Sequence, residues 1–342
     1  MTTHAPSVLA RTAIAPAVLI ALLCAITVAT WAFGSGTLQR TVVEMLIRVV
    51  LVVGMWIFVG NSGIMSFGHI GFMCLGAYAA AWFTIPPMLK EISLSGLPTF
   101  VRSSQFPFWA SAIAASLLPA VFAAIIGPIL MRLAGIAASI ATFAMLAVIN
   151  TVYSNWSTVT GGTSSIIGIP LRTNLWLALA AAAAAILIAW AYAISRSGLA
   201  LRAARDEAIA AQASGVHIER ERTIAFVLSA FVCGAAGVLY AHFLGIVTPD
   251  AFFLTATFVA LSMLVVGGMN SLSGAVLGVV LISTIIQALR SLEKGFAVGD
   301  VTVAIPSGSQ EIAIGVVMIV ILIFRPTGLM GNREIVLPRG AR

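Results

Sequence analysis

RSGLALRAARDEAIAAQASGVHIERER, from Arg196 to Arg222, is the one charged interruption of an otherwise apolar chain. It holds nine of the 29 charged side chains in 342 residues, with both signs mixed along it. On either side the sequence returns to long hydrophobic runs. A chain that gathers its charge into one internal loop of this kind reads as a polytopic membrane protein presenting that loop to a partner.

Working outward, composition sets the class. The chain is 61% hydrophobic and 8% charged, with a mean hydropathy of +1.09, far from the values of a soluble globular domain. A bilayer core takes about 20 apolar residues per helix. Runs of that kind lie at about 13–33, 41–60, 65–84, 108–131, 133–153, 175–195, 222–245, 252–267, 272–290 and 309–325. The run at 252–267 is short, which leaves it upright, broken or a half-helix. The predicted class is an all-α polytopic membrane protein with about ten transmembrane helices, in a range of 8–10. The segments between runs are too short to be independent soluble domains.

The net charge of +7 encodes orientation here rather than nucleic-acid binding. The apolar run after Thr12 is about twice the length of a signal-peptide core and ends without a small-residue cleavage pattern, so it is expected to stay as the first span. With an inside N-terminus and ten alternating spans, the inner segments hold eleven Lys and Arg against six in the outer ones. Both termini are therefore expected in the cytoplasm. The chain divides into a cytoplasmic tail at 1–12, a membrane domain at 13–325 containing the cytoplasmic loop 196–222, and a cytoplasmic tail at 326–342.

Catalytic signatures are missing. There is no phosphate-binding P-loop, HExxH, nucleophile elbow or Cys/His metal spacing, so no catalytic, metal or cofactor-binding residue is assigned. Cys24, Cys74 and Cys233 all fall inside runs and read as small packing residues. Glu44 and Arg48 stand one turn apart with the acid first, the favourable order for a structural pair. His242 is expected at an interface or in a hydrogen bond. The spans are otherwise nearly free of ionisable groups, which counts against an ion-coupled secondary transporter. That transporter is the rival from a different class, and an integral membrane enzyme is a more distant one. Small residues at Gly237, Ala241 and Gly245, and at Gly274 with Gly278, predict close helix packing.

Two segments carry unusual chemistry for membrane depth. Gly60–Ala81, GNSGIMSFGHIGFMCLGAYAAA, clusters glycines with Asn61, Ser62, Ser66 and His69. It suits a broken helix beside a pathway, or a short turn followed by a glycine-packed helix. Thr158–Pro170, TVTGGTSSIIGIP, is an outer loop that meets a delivery protein or is simply flexible. The charged loop has helix logic of its own. Alanines follow Arg202, Arg205 and Glu207, and Gly215 supplies a stop, which predicts one short cytoplasmic helix before the cluster at 219–222.

Arg202–Val216, RAARDEAIAAQASGV, resembles the cytoplasmic coupling segment of the branched-chain amino acid family of ABC importer permeases. Phe226–Asp250 (FVLSAFVCGAAGVLYAHFLGIVTPD), 66–81, 160–170, VGGMNSLSGAVLG at 266–278 and FRPTGLMG at 324–331 are similar to that family's other segments. The matches run in one order from about residue 45 to 331, and their combination looks most like the family's M-type branch. The resemblance implies an importer-permease bundle in the bacterial cytoplasmic (inner) membrane, in contact with membrane lipid and not with nucleic acid. It implies a second, H-type permease as partner, two cytoplasmic ABC ATPase subunits that hold ATP and magnesium, and a periplasmic substrate-binding protein. Its substrates are branched-chain amino acids; close relatives carry urea, short amides or aromatic acids. Carried over by residue, Arg202, Arg205, Asp206, Glu207, Ala208 and Gly215 correspond to the loop that docks the ATPase. The loop departs from the broader importer pattern, since Ala208 and Ile209 follow Glu207 and Gly215 comes eight residues on. Ser66, Gly68, His69, Gly71, Gly161 and Gly162 match recurrent segments for which we expect substrate contact along the translocation pathway.

Overall fold

In the computed structural model, which describes residues 14–293, 296–298, 301–303, 309–325, 327–331 and 334, one helix organises the rest. That helix is α2 (Gly36–Ser62). The Ser35 hydroxyl caps it by accepting from the Leu38 amide, and Gly63, in the left-handed region at φ 72°, closes it. At 27 residues it is about 40 Å long, more than the hydrocarbon core needs. It is 89% buried along its apolar window, the most of any span. A helix hydrophobic on every side belongs at the centre of a bundle.

The other helices are laid around it. α1 (Ile14–Phe33) precedes it, and α3 (His69–Thr84), α4 (Pro87–Ser93), α5 (Thr99–Ser103), α6 (Phe108–Leu130), α7 (Gly135–Asn155) and the single turn α8 (Ser157–Thr160) follow. Then come α9 (Leu175–Ile194), α10 (Arg196–Asp206), α11 (Ala208–Ala213) and α12 (Ile218–Leu244). A 3-10 turn at Pro249–Phe252 leads into α13 (Leu254–Gly267), α14 (Leu272–Glu293) and α15 (Ser309–Phe324). The only sheet among the described residues is two short antiparallel ladders. β1 (Ile166–Ile167) pairs with β2 (Ile246–Val247), and β3 (Phe296–Val298) pairs with β4 (Val301–Val303).

Every one of the ten apolar runs is helical, but not all are long enough to cross. Among the described residues eight helices are long and apolar enough, nine if the pair α3 and α4, bent by 119°, is one span. α3 and α15 have 16 residues each, about 24 Å of helix against about 30 Å of hydrocarbon. The short run at 252–267 joins its 3-10 turn to make a span-length segment, Pro249–Gly267. The loop after α3 is held by Lys90, whose buried ammonium donates to the Val101 and Ser104 carbonyls at 3.0 and 2.7 Å. Burial lowers its pKa to about 8.

The central crossings are made by missing side chains. A Cβ on Gly76 of α3 would stand 2.2 Å from the Gly234 carbonyl oxygen of α12, and one on Gly237 would stand 2.0 Å from that of Met73. The same device joins α13 to α14, where a Cβ on Gly278 would meet the Met263 carbonyl at 2.0 Å. These glycines pack within the chain, as close approach in lipid requires. Where α2, α3 and α12 converge, His69 sits among Phe58, Phe72 and Phe226, with ring centroids 5.7, 5.7 and 5.8 Å away.

Gly237→Val should therefore split the α3–α12 crossing and lose the monodisperse folded species in size-exclusion chromatography. Gly36→Ala meets nothing within 4 Å and should elute as wild type. Overpacking of a filled contact costs about 1–3 kcal/mol even when the backbone can shift, and here the clash is with backbone itself.

Candidate functional site

The charged loop folds as two helices instead of the one expected. Ser195 caps α10, accepting from the Gly198 amide. The helix breaks at Glu207, whose backbone is extended (φ −151°, ψ 102°), and α11 begins after it. Gly215 then takes φ 85° with open space around it, and the Val216 amide returns to the Ala211 carbonyl at 3.0 Å. This closure needs a left-handed residue, which glycine supplies without strain. Ala204, Ala211 and Ile218, with Val216 against them, form a small apolar cluster apart from the main core. The result is a helical hairpin whose outer side, Asp206 to Ala210 and Gln212 to Gly215, is exposed. Ile209 at its tip is 78% exposed.

The loop's basic residues do not all face outward. Arg205 turns back into the bundle. Its guanidinium donates to the Gly60 carbonyl at 2.7 Å, near the end of α2, and reaches the Asn270 side chain at 3.5 Å in the α13–α14 turn. Its stem lies over Gly63, where a Cβ would meet Arg205 Cγ at 2.7 Å. Arg202 donates to the Ala193 carbonyl at the end of α9. Burial and the neighbouring Arg205 lower its pKa, against the raising pull of Glu334 and Asp206. Ser197 donates to Glu221, joining the two feet of the hairpin. Asp206 pairs only with its neighbour Arg205, at 3.0 Å. The Glu207 side chain makes no hydrogen bond or ion pair among the described residues, and with Ala208 the residue is exposed. Thus Arg202 and Arg205 fasten the hairpin, while Glu207, Ala208 and Gly215 lie on its free side.

The chain after α15 is tied to the same end. The Leu329 and Met330 amides donate to the Val266 and Gly267 carbonyls at 2.9 and 3.1 Å. Glu334 caps α14, its carboxylate accepting from the Leu272 amide at 2.6 Å and from the Ser273 amide and hydroxyl at 3.2 and 2.7 Å. A carboxylate on the free amides of a helix N-terminus is stabilising. Nothing in the sequence pattern had marked Glu334 as more than part of a tail.

The six glycine and polar residues expected along a pathway separate into two places. Gly63 to Gly68 is a turn of non-helical backbone between α2 and α3, satisfied by hydroxyls on α7. Ser139 donates to the Met65 carbonyl at 2.6 Å, and the Phe67 amide donates to Thr142 at 3.3 Å. Ser66 is buried and accepts from the Gly68 amide at 3.4 Å. A Cβ on Gly68 would meet the Thr142 carbonyl at 2.8 Å, and one on Gly71 would meet Ile149 at 2.8 Å. Buried coil of this kind is tolerated in a membrane because protein groups satisfy it. The turn leads into the glycine-packed α3, and its Met65 and Phe67 line a cavity, so this geometry fits both sequence alternatives. Gly161 and Gly162 lie at the far end of α7, at φ 75° and 61°, in the loop stitched to α12 by β1 and β2. Gly162 approaches the Ser154 carbonyl of α7, about 18 Å along that helix from the Thr142 contact of Gly68.

Two cavities open in the bundle, and the turn itself borders one of them. One, of about 490 Å³, is an apolar groove between Met65, Phe67, α13 and α15. The other, of about 260 Å³, opens between α2, α12 and α13 and is lined in part by Glu44, Arg48, Tyr240 and Asp250. Arg48 donates to Glu44 in the expected order, and Arg290 of α14 adds a second contact at 3.2 Å that the sequence spacing did not reveal. His242, expected at an interface or hydrogen bond, is buried against Phe108 with centroids 5.0 Å apart. No group of three or more His, Cys, Asp or Glu placed to hold a metal ion occurs among the described residues.

Comparison with known proteins bears on this geometry. The family described as branched-chain amino acid transport system / permease component matches residues 37–324. The high-affinity branched-chain amino acid transport system permease protein LivM of Escherichia coli (strain K12) is 25% identical over 348 residues, covering 91% of this chain and 74% of that protein. LivM of Salmonella typhimurium is 24% identical over 319 residues, covering 83% and 68%. The permease protein LivH of Escherichia coli (strain K12) is 28% identical over 141 residues, 41% of this chain and 42% of that one. No solved structure matches the chain.

Arg205→Met keeps an apolar stem over Gly63 and removes the donor to Gly60. A hydrogen bond from a charged group contributes about 1.5–3 kcal/mol. Amide hydrogen exchange in α10 and α11 should therefore speed up by at least tenfold, with the core of α2 unchanged. Unchanged hairpin exchange would show that Arg205 does not fasten it.

Proposed function

The chain belongs to the branched-chain amino acid transport system permease family, and on that premise we propose that it is the M-type permease subunit of an ABC importer. With a second, H-type permease it forms the passage for branched-chain, aliphatic amino acids across the bacterial cytoplasmic membrane. Two cytoplasmic ATPase subunits bind ATP and magnesium and drive the cycle, and a periplasmic binding protein delivers the substrate. The single observation that carries this reading is the family match, which spans residues 37–324, nearly the whole helical bundle. The likeness to both LivM and LivH proteins supports pairing of two related permeases.

The chain's own contribution is passage and mechanical linkage. The hairpin of α10 and α11 supplies the docking element for an ATPase. Its exposed Glu207, Ala208 and Ile209 meet the partner, and its base is fastened to α2 and the α13–α14 turn through Arg205. A push on the hairpin is then delivered to the end of the central helix rather than spent in a loose loop. An ion-coupled mechanism is disfavoured by the state of Glu44, whose carboxylate is already held by two arginines and is not free to take a cation.

The test uses the complete importer in proteoliposomes with loaded binding protein. Gly215→Val forces a β-branched residue into a left-handed backbone, at a cost of about 1–3 kcal/mol. Glu207→Trp places bulk on the exposed face. Each should lower ATP-driven leucine uptake by more than tenfold while the chain remains inserted and bound to its partner permease. Normal uptake in both variants would remove the coupling assignment.

A further inference from the structure

The cavity beside Glu44 and Arg48 has features that helix packing does not call for. Ionised groups inside a membrane domain are costly to insert and mark functional sites by default. Here three of them converge. Glu44 lies between Arg48 and Arg290, so the cluster carries one net positive charge. Only one of the N–H donors of Arg48 is committed to Glu44, out of the five that a guanidinium offers. Asp250 also lines the cavity, exposed and with no side-chain hydrogen bond or ion pair among the described residues. Between these opposite charges the wall is apolar, built in part from Ile47, Leu51, Val259 and Met263.

We infer that this cavity is the transit site for a zwitterionic amino acid with an aliphatic side chain. Arg48 receives the carboxylate, Asp250 receives the ammonium, and the apolar wall receives the side chain. The inference rests on the transport reading above and assigns it a place in this chain. Size agrees, since about 260 Å³ lies just below the range of about 300–1,000 Å³ typical of pockets for larger small molecules. Charge discriminates among the family's substrate classes. Urea and short amides carry neither charge, and an aromatic acid carries no ammonium for Asp250, so each makes at most one of the two charged contacts. Position agrees as well. Arg48 and Gly60 lie on the same helix, about 18 Å apart, so one rigid element holds both the transit site and the hairpin clasp.

Binding of tritiated leucine to the purified permease–ATPase complex in nanodiscs, without nucleotide or binding protein, tests the assignment. Leucine should be displaced by isoleucine and valine, and at least tenfold less well by 4-methylpentanoate, isopentylamine, urea or benzoate. Asp250→Asn, an isosteric change at an exposed position, and Ala256→Phe, which fills the cavity, should each weaken leucine binding at least tenfold. Unchanged binding in Asp250→Asn, or displacement by urea or benzoate as strong as by valine, would overturn the site. ATP-driven leucine uptake by the wild-type complex, measured alongside, separates the two levels. Uptake with unaltered variant binding overturns the cavity alone, and no uptake by the wild type overturns the transport reading beneath it.

Discussion

The contact on which the rest of the account depends is the hydrogen bond from Arg205 to the Gly60 carbonyl. It joins residues 145 positions apart and ties the most charged segment of the chain to the most buried helix. Beside it, Leu201 anchors α10 in the main core. Through the Arg205 bond, the hairpin rests on the ends of α2 and the α13–α14 turn, and Gly63 is required because the Arg205 stem occupies the space a side chain would take. Arginine suits the task because its charge persists and its several donors reach two elements at once.

The stiffness that makes such a link useful comes from the glycine crossings. α3 and α12 touch backbone to backbone at Gly76, Gly234 and Gly237, and α13 and α14 do so at Gly267, Gly274 and Gly278. Lipid offers no hydrophobic reason for helices to associate, so close packing supplies the attraction. The aromatic cluster around His69 fills the place where α2, α3 and α12 meet. α2 therefore runs between filled surfaces for most of its length, with charged groups near one end and the hairpin clasp near the other.

Much of this was legible in the sequence, for a physical reason. Length and hydropathy of each run are local properties, so all ten helical runs could be placed, and the glycine spacings could be recognised as packing faces. The Glu44–Arg48 pair was visible because its partners are one turn apart. Arg290, Asp250 and Tyr240 were not associated with it, since they come from other helices and share no spacing. For the same reason Arg205 looked like an outward-facing docking residue. The break at Glu207 was hidden because alanines on both sides have high helix propensity, while the base of the hairpin is fixed by contacts elsewhere in the bundle. The short helix α3 looks like a full span in a hydropathy profile because its apolar run also takes in the coil at 65–68.

Family membership and fold agree that the chain is a multi-pass permease, and we propose the hairpin as its handle for a partner that supplies energy. Purification of the chain from its native membrane in mild detergent, with mass spectrometry of everything that accompanies it, addresses that claim directly. The account expects a second permease and two nucleotide-binding subunits in the same particle. A chain that purifies alone and transports leucine in liposomes without ATP would contradict it.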